Sequence, residues 1–330
     1  MTSEVSQRAR ALVAERQPEA RGLGQALADL IDDPESFVAV LREGFERLAD
    51  EGSAAEQERV APGSGLVIGV RGPLIDAVAG QLRQPLREGS SASALWLAQR
   101  LAAAEEREVR LFSHVPLKRS LADDPERSWQ LMRRLGGRAH DWISVDTLAD
   151  LFAAGILLEA FRWAELEQLV YSESRWERRL VGSTIARLPF QLPGHRRTEL
   201  RRLPALMLIK AMLGDADEQV QKSLSWSLRE WARVDPDGVA ALLRQEADTA
   251  EASSDGHRAW VLRDALPALP ALAAELRPRL AAIRRRPDAP STSTAAGVAA
   301  AFTGAGALAE MSEQAVAIQG ERQHLAGRRA

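Results

Sequence analysis

The chain has no cysteine, and among its 330 residues it has only five histidines, one tyrosine and three lysines. The missing cysteine excludes disulfides, thiolate nucleophiles and cysteine-ligated zinc. The histidines (His114, His140, His195, His257 and His324) are scattered, and no two have helical ligand spacing, so neither a metal site nor a cofactor is expected. No apolar run reaches the roughly 18 residues that a membrane span needs. The opening stretch, MTSEVSQRARALVAERQPEA, is polar and charged, unlike a signal peptide, which makes a cytoplasmic location the expectation. Aromatic content is only 5%, and alternating β-branched runs are nearly absent, so strands are not expected. The glycine-rich stretch 63–72, GSGLVIGVRG, has neither GxGxxG spacing nor the Lys-Ser/Thr of a P-loop, and reads as a loop. No GxSxG elbow occurs.

What is present is charge, unevenly placed. Net charge is −3, yet residues 1–60 carry 13 acidic and 7 basic residues, while residues 171–210 carry 3 acidic and 9 basic. A local basic surface suffices to bind a polyanion whatever the whole-chain charge. Arginine outnumbers lysine 40 to 3, which coding bias towards GC-rich codons accounts for.

Helical periodicity runs through nearly the whole chain. Residues 1–48 read as short helices broken at Pro18 and around Pro34, and 50–65 as a connector. From about 74 to 280, helical segments alternate with the breaks ADDPE, AAGI, YSESR, LPGHRR, GDADE, VDPDG and ASSDG, with Asp and Ser where N-caps belong. A spacing of roughly 40 residues per helix pair is that of HEAT-type repeats. The expected fold is all-α, a curved α-solenoid of HEAT-like helix pairs with a concave groove. Three regions are expected: an acidic N-terminal helical extension and connector (1–62), the repeat domain (63–285), and a linker with an Ala/Gly-rich tail (286–330), either disordered or one loosely docked helix.

Three helices carry an unexpected face. In RAHDWISVDTLADLF, 138–152, Val145, Leu148 and Phe152 share one side, with Leu151 at its edge. Trp142, Asp146, Ala149 and Ala153 share another, the alanines leaving room beside an i,i+4 pair. Taken singly, Trp142 is an ordinary core residue and Asp146 a helix-dipole partner; both readings stay open. In SRWERRLVGSTIARLP, 174–189, Leu180, Val181, Thr184 and Leu188 form the apolar side. Arg175, Arg179, Gly182 and Ala186 form a side that is either a solvated basic face or one that something bulky approaches. In DEQVQKSLSWSLREWARVDP, 217–236, Val220, Leu224, Leu228 and Trp231 are the core stripe, and Lys222, Trp226, Arg229 and Arg233 lie opposite. A tryptophan among cations is a footprint for nucleic acid, cations for phosphates and an aromatic plane for a base or sugar. Burial of Trp226 in a second helix–helix interface is the alternative. Trp142, Arg179 and Trp226 recur at intervals of 37 and 47 residues, about one repeat each, so a solenoid would bring these faces to one wall.

These stretches resemble the DNA alkylation repair family, the HEAT-like-repeat alkylpurine DNA glycosylases. DWISVD is similar to the family's Trp-x-x-x-Asp motif, and VQKSLSWSLREWARVDPDGVAALL to its Gln-Lys-x-x-x-Trp-x-Leu-Arg-Glu signature. SRWERRLVGSTIAR resembles the helix that supplies an arginine to DNA, and IGVRGPLIDAV, 68–78, the Gly-x-x-x-Pro turn that opens the N-terminal repeats. The resemblance covers roughly 66–250. It implies that Asp146 is the catalytic aspartate and that Trp142 and Trp226 frame the lesion's deoxyribose. It implies that Arg179 contacts the DNA backbone beside it, and Arg229 matches the arginine three residues after the second tryptophan. Arg175, Lys222 and Arg233 are further candidates for DNA contact. Asp141 and Ile143 replace an aromatic and an acid common in relatives, and Arg71, a further DNA-binding candidate, replaces a polar amide.

The chemistry suits such residues. A cationic alkylated purine (3-alkyladenine, 7-alkylguanine) is already a good leaving group, and breaking its glycosidic bond builds positive charge on the sugar. A carboxylate stabilises that oxocarbenium-like state and positions water, while an indole face adds about 0.5–2 kcal/mol of cation–π attraction. The resemblance implies action on duplex DNA without the base-flipping pocket of most glycosylases. A monomer with no membrane or metal partner is expected. A non-catalytic HEAT-like DNA-binding protein and a protein-scaffold protein are the competing readings.

Overall fold

The structure is a computed structural model, and it describes residues 2–303; the sequence-expected tail beyond lies outside the described residues. Among the described residues there are seventeen α-helices, short 3-10 turns and no strand, so the protein is all-α. No helix among them is long and apolar enough to cross a membrane. The chain divides into two compact units. The first runs to Ala164 and takes in Ser183–Pro193; the second comprises Glu165–Gly182 and the chain from Gly194 onward.

Aspartate and serine set the helix starts. Asp33, Asp50, Asp124, Asp141, Asp217, Asp235, Asp255 and Ser90 each accept a backbone N–H from the first turn of the helix they precede. These bonds satisfy donors that a helix leaves unpaired at its N-terminus, worth about 1 kcal/mol each. Six of the seven breaks in the sequence between 122 and 256 fall between helical segments, four of them supplying one of these aspartate caps, and AAGI does not. Trp142–Leu158 runs through it unbroken. Gly155 lies against the Trp129 ring, where a Cβ would come within 2.9 Å, so that glycine makes room for an indole and ends nothing.

Two other expectations fail in the first unit. Pro18 does not break the chain, for Thr2–Ala28 is one helix around it. A proline costs a single ladder bond there, and Ala20, Leu23 and Leu27, all buried, hold the helix across it against Gly72–Glu88. Nor is 50–65 merely a connector, since Glu51–Val60 is a helix capped by Asp50. Phe37, Phe45 and Phe112 form the aromatic centre of this unit's core, with Phe45 edge-on to Phe112 at 5.8 Å. Trp129 and Phe152 form a second centre, their rings 4.7 Å apart.

The Gly-Val-Arg-Gly-Pro turn is held by one buried carboxylate. Glu108 accepts the N–H groups of Ile68, Gly69 and Val70 at 3.1, 2.7 and 3.3 Å. Gly69 has φ +96° and sits where a Cβ would come within 2.7 Å of the Ala54 Cβ.

In the second unit, Val220, Leu224, Leu228 and Trp231 are buried as the periodicity requires. Helix Glu218–Trp231 packs on Gly256–Ala265, and Pro236–Ser253 on Pro270–Ala281. Residues 286–293, linker-like in sequence, are tied down. The Thr292 N–H donates to the Gly214 carbonyl at 2.9 Å, and the Ala216 N–H to Ser291 Oγ at 2.9 Å. Helix Thr294–Thr303 then packs against Ala205–Met212.

Gly69→Ala is expected to lower stability by about 1–3 kcal/mol, because both the positive φ and the contact with Ala54 oppose a side chain. Urea unfolding of the variant measures it, and an unchanged midpoint would refute this account of the turn.

Candidate functional site

In the first unit, the start of helix Trp142–Leu158 is set by Asp141. Its carboxylate is buried and accepts the Ser144 N–H at 2.8 Å and the Ser144 hydroxyl at 2.7 Å. Asp141 thus serves as the N-cap of this helix. Capping makes Trp142 the first helical residue and places Asp146 one turn on, on the same face. Both side chains are half-buried, and neither belongs to the hydrophobic core.

Asp146 is gripped by a residue that sequence reasoning passed over. The fully buried Ser183 donates its hydroxyl to Asp146 Oδ1 at 2.6 Å. Nothing in the GST tripeptide signalled this, because a helical serine usually bonds its own backbone. The expected room beside the pair is narrower than the sequence implied. Ala149 and Ala153 are fully buried. Their small side chains admit close packing, so the open part of this face is its first turn and a half.

In the second unit, Arg175 is exposed and pairs with Asp217 at 3.5 Å. Arg179 is 94% buried (6% exposed), and its guanidinium donates to the Gln219 carbonyl at 2.9 Å and to Gln219 Oε1 at 3.3 Å. What approaches Gly182 is the neighbouring helix: a Cβ there would meet Ser223 Oγ at 2.4 Å. The face is thus neither solvated nor open at Arg179 and Gly182, since the absent side chain lets helix Glu218–Trp231 pack close. That helix begins at Asp217, whose carboxylate accepts the N–H groups of Gln219 and Val220 at 2.8 and 3.3 Å.

Trp226 is half-exposed, on the side away from Trp231, with exposed Lys222 a turn before it and exposed Arg233 beyond. The cations on this side each meet a carboxylate. Lys222 pairs with Glu218 at 2.7 Å, Arg229 with Asp264 and Arg233 with Glu230. Glu218 and Glu230 lie in the same stretch as the cations, whereas Asp264 comes from another helix and could not be read from it. Such exposed pairs hold about 0–1 kcal/mol and exchange readily for another anion. The Lys222 hydrogen bond and charge pull the Glu218 carboxyl below its ordinary range against burial, so Glu218 is ionised at neutral pH.

Arg71 lies in the first unit and is committed to Asp50, with Nε 2.8 Å from Oδ2. Burial raises the Asp50 carboxyl, and the hydrogen bond and charge of Arg71, helped by the Gly52 N–H, outweigh it, leaving the pKa below the ordinary value. Among the described residues no group of three His, Asp or Glu side chains could hold a metal ion.

A depressed folded-state pKa means that the Arg71–Asp50 pair stabilises above the unfolded value of about 3.9 and loses that contribution as the pH falls through the folded value. Arg71→Gln is therefore expected to cost about 1 kcal/mol at pH 7, the gap to wild type closing below about pH 4. Urea unfolding across pH measures both, and a gap unchanged at pH 2.5 would show that the charge is not the cause.

The family model described as DNA alkylation repair enzyme matches residues 41–269. A solved structure titled "Predicted DNA alkylation repair enzyme from Enterococcus faecalis" shares 18% identity, covering 60% of this chain and 89% of its own, with a TM-score of 0.48. No curated protein matches. With that family model spanning well over half of its length, the chain belongs to the DNA alkylation repair enzyme family.

Proposed function

We propose that this protein is a DNA glycosylase that hydrolyses the N-glycosidic bond of cationic alkylated purines, 3-alkyladenine and 7-alkylguanine, in duplex DNA. Membership of an alkylation repair family supplies the role. The observation that carries the finer reading is Asp146: a half-exposed carboxylate, one turn from the Trp142 indole, steadied by the Ser183 hydroxyl at 2.6 Å.

The C1′–N bond breaks with its electron pair going to the purine nitrogen, which cancels the positive charge of the leaving base. Positive charge develops at C1′. Asp146 stabilises it, directs a water to C1′ and takes the proton that the water gives up. Trp142 offers a π-face to the same cation. No protonation of the base is required, so the reaction needs no general acid. In the second unit Trp226 is assigned to the DNA sugar, and Lys222, Arg229, Arg233 and Arg175 to phosphates, each exchanging a surface carboxylate for a phosphate oxygen. Arg179 acts through its position at Gln219, and Arg71 is the most remote assignment, since Asp50 already occupies it.

Asp146→Asn is expected to cut release of 7-methylguanine from methylated duplex about a hundredfold or more while duplex binding persists. A variant that releases base at the wild-type rate would refute the assignment. A wild-type protein that binds duplex and never releases base would favour a non-catalytic DNA-binding protein. Ser183→Ala removes one hydrogen bond to a charged group and should lower the rate about tenfold with the duplex Kd unchanged; a loss confined to Kd would place Ser183 elsewhere. Removal of uncharged 1,N6-ethenoadenine as fast as 7-methylguanine would contradict the cationic-leaving-group mechanism.

Lys222→Ala should weaken duplex binding uniformly across sequences and reduce the salt dependence, the slope of log K against log salt, by about 1. Titration at several salt concentrations reads this directly, and an unaltered slope would remove Lys222 from the DNA contact.

A further inference from the structure

Helix Trp142–Leu158 has a second wall. Ser144, Thr147, Leu148 and Leu151 fall on the face opposite Trp142 and Asp146. Together with residues from the helices before it, within the same unit, they line a cavity of about 300 Å³. That volume is at the lower end of those that hold small molecules.

Its chemistry is one-sided. The floor is apolar, built by Leu117, Leu131, Leu148 and Leu151. The rim carries Arg134, Arg138, His114 and His140, and no aspartate or glutamate lines it. Two further rim arginines are spent: Arg100 pairs with Glu35, and Arg110 donates to the Glu105 and Ser64 carbonyls. Arg134 and Arg138 are not spent. Among the described residues neither guanidinium has an ion-pair or hydrogen-bond partner. They are i,i+4 neighbours in helix Pro125–Arg138, so both reach one anion. His114 donates Nδ1–H to the Leu111 carbonyl at 2.7 Å, which leaves Nε2 for a ligand.

We propose that this cavity binds a small amphipathic anion, an apolar body among the leucines with a carboxylate, sulfonate or phosphate head on Arg134 and Arg138. An alkylated purine, cationic before release and without a negative charge after it, does not match this rim. The site is therefore separate from the Asp146 chemistry, and it stands whether or not the glycosylase reading does.

The probe is 8-anilinonaphthalene-1-sulfonate, followed by its fluorescence on the full chain, with N-phenyl-1-naphthylamine as the same body without the charge. The wild type is expected to bind the sulfonate at least tenfold more tightly than the amine. In Arg134→Gln/Arg138→Gln, both exposed positions, that preference should vanish through loss of sulfonate affinity alone. Ala103→Trp, at an exposed lining position, should weaken both probes by filling the space. Equal binding of the two probes by the wild type, or no effect of Ala103→Trp, would overturn the proposal. Displacement of the sulfonate by a short DNA duplex would overturn it too, by giving the two arginines to a DNA strand.

Discussion

The cap at Asp141 governs the rest of the site. A helix begins where its first N–H groups find an acceptor, and this buried carboxylate binds both the N–H and the hydroxyl of Ser144. That contact fixes the rotational phase of helix Trp142–Leu158. With the phase fixed, Trp142 and Asp146 face one way, Ser144, Thr147 and Leu151 the other, and Val145, Leu148 and Phe152 pack inward. A one-residue shift in the start would turn each of these groups by about 100°. The same device recurs at the other aspartate caps, so short acidic breaks order the helices throughout the described chain.

Close helix packing is the second constraint, and it explains why small residues in the motifs do not border empty space. Gly155 meets Trp129, Gly182 meets Ser223, and Ala149 and Ala153 are buried. Bringing helices together in this way is what lets the Ser183 hydroxyl reach Asp146. A carboxylate with a fixed donor is preorganised, and preorganisation is what makes electrostatic stabilisation effective at a developing cation.

Surface charge works differently. Lys222, Arg229, Arg233, Arg175 and Arg71 each face a carboxylate. Where the pairs are exposed, they hold little energy, and a phosphate can take the carboxylate's place at small cost. The cations around Trp226 are therefore available to a polyanion although none stands alone. Arg134 and Arg138 differ because they face an apolar cavity and no acid.

Much of this was legible in the sequence. Apolar periodicity and the scarcity of β-branched alternation determined an all-α chain, and the aspartates before periodic runs marked most helix starts. The phase of 217–236 alone separated buried Trp231 from half-exposed Trp226. Order and spacing of the Trp-Asp and Gln-Lys-Trp-Arg-Glu stretches were enough to point to the family. Local patterns failed where the outcome turned on a partner distant along the chain. Pro18 lies inside a helix because packing outweighs one missing hydrogen bond, and Gly155 continues a helix because an indole lies over it. The bonds from Ser183 to Asp146, Arg179 to Gln219, Arg229 to Asp264 and Thr292 to Gly214 join residues 35 to 78 positions apart. A side chain's type and helical phase are local properties that the sequence determines; which acceptor or aromatic ring it meets depends on how helices pack, and that was decided only by the tertiary structure.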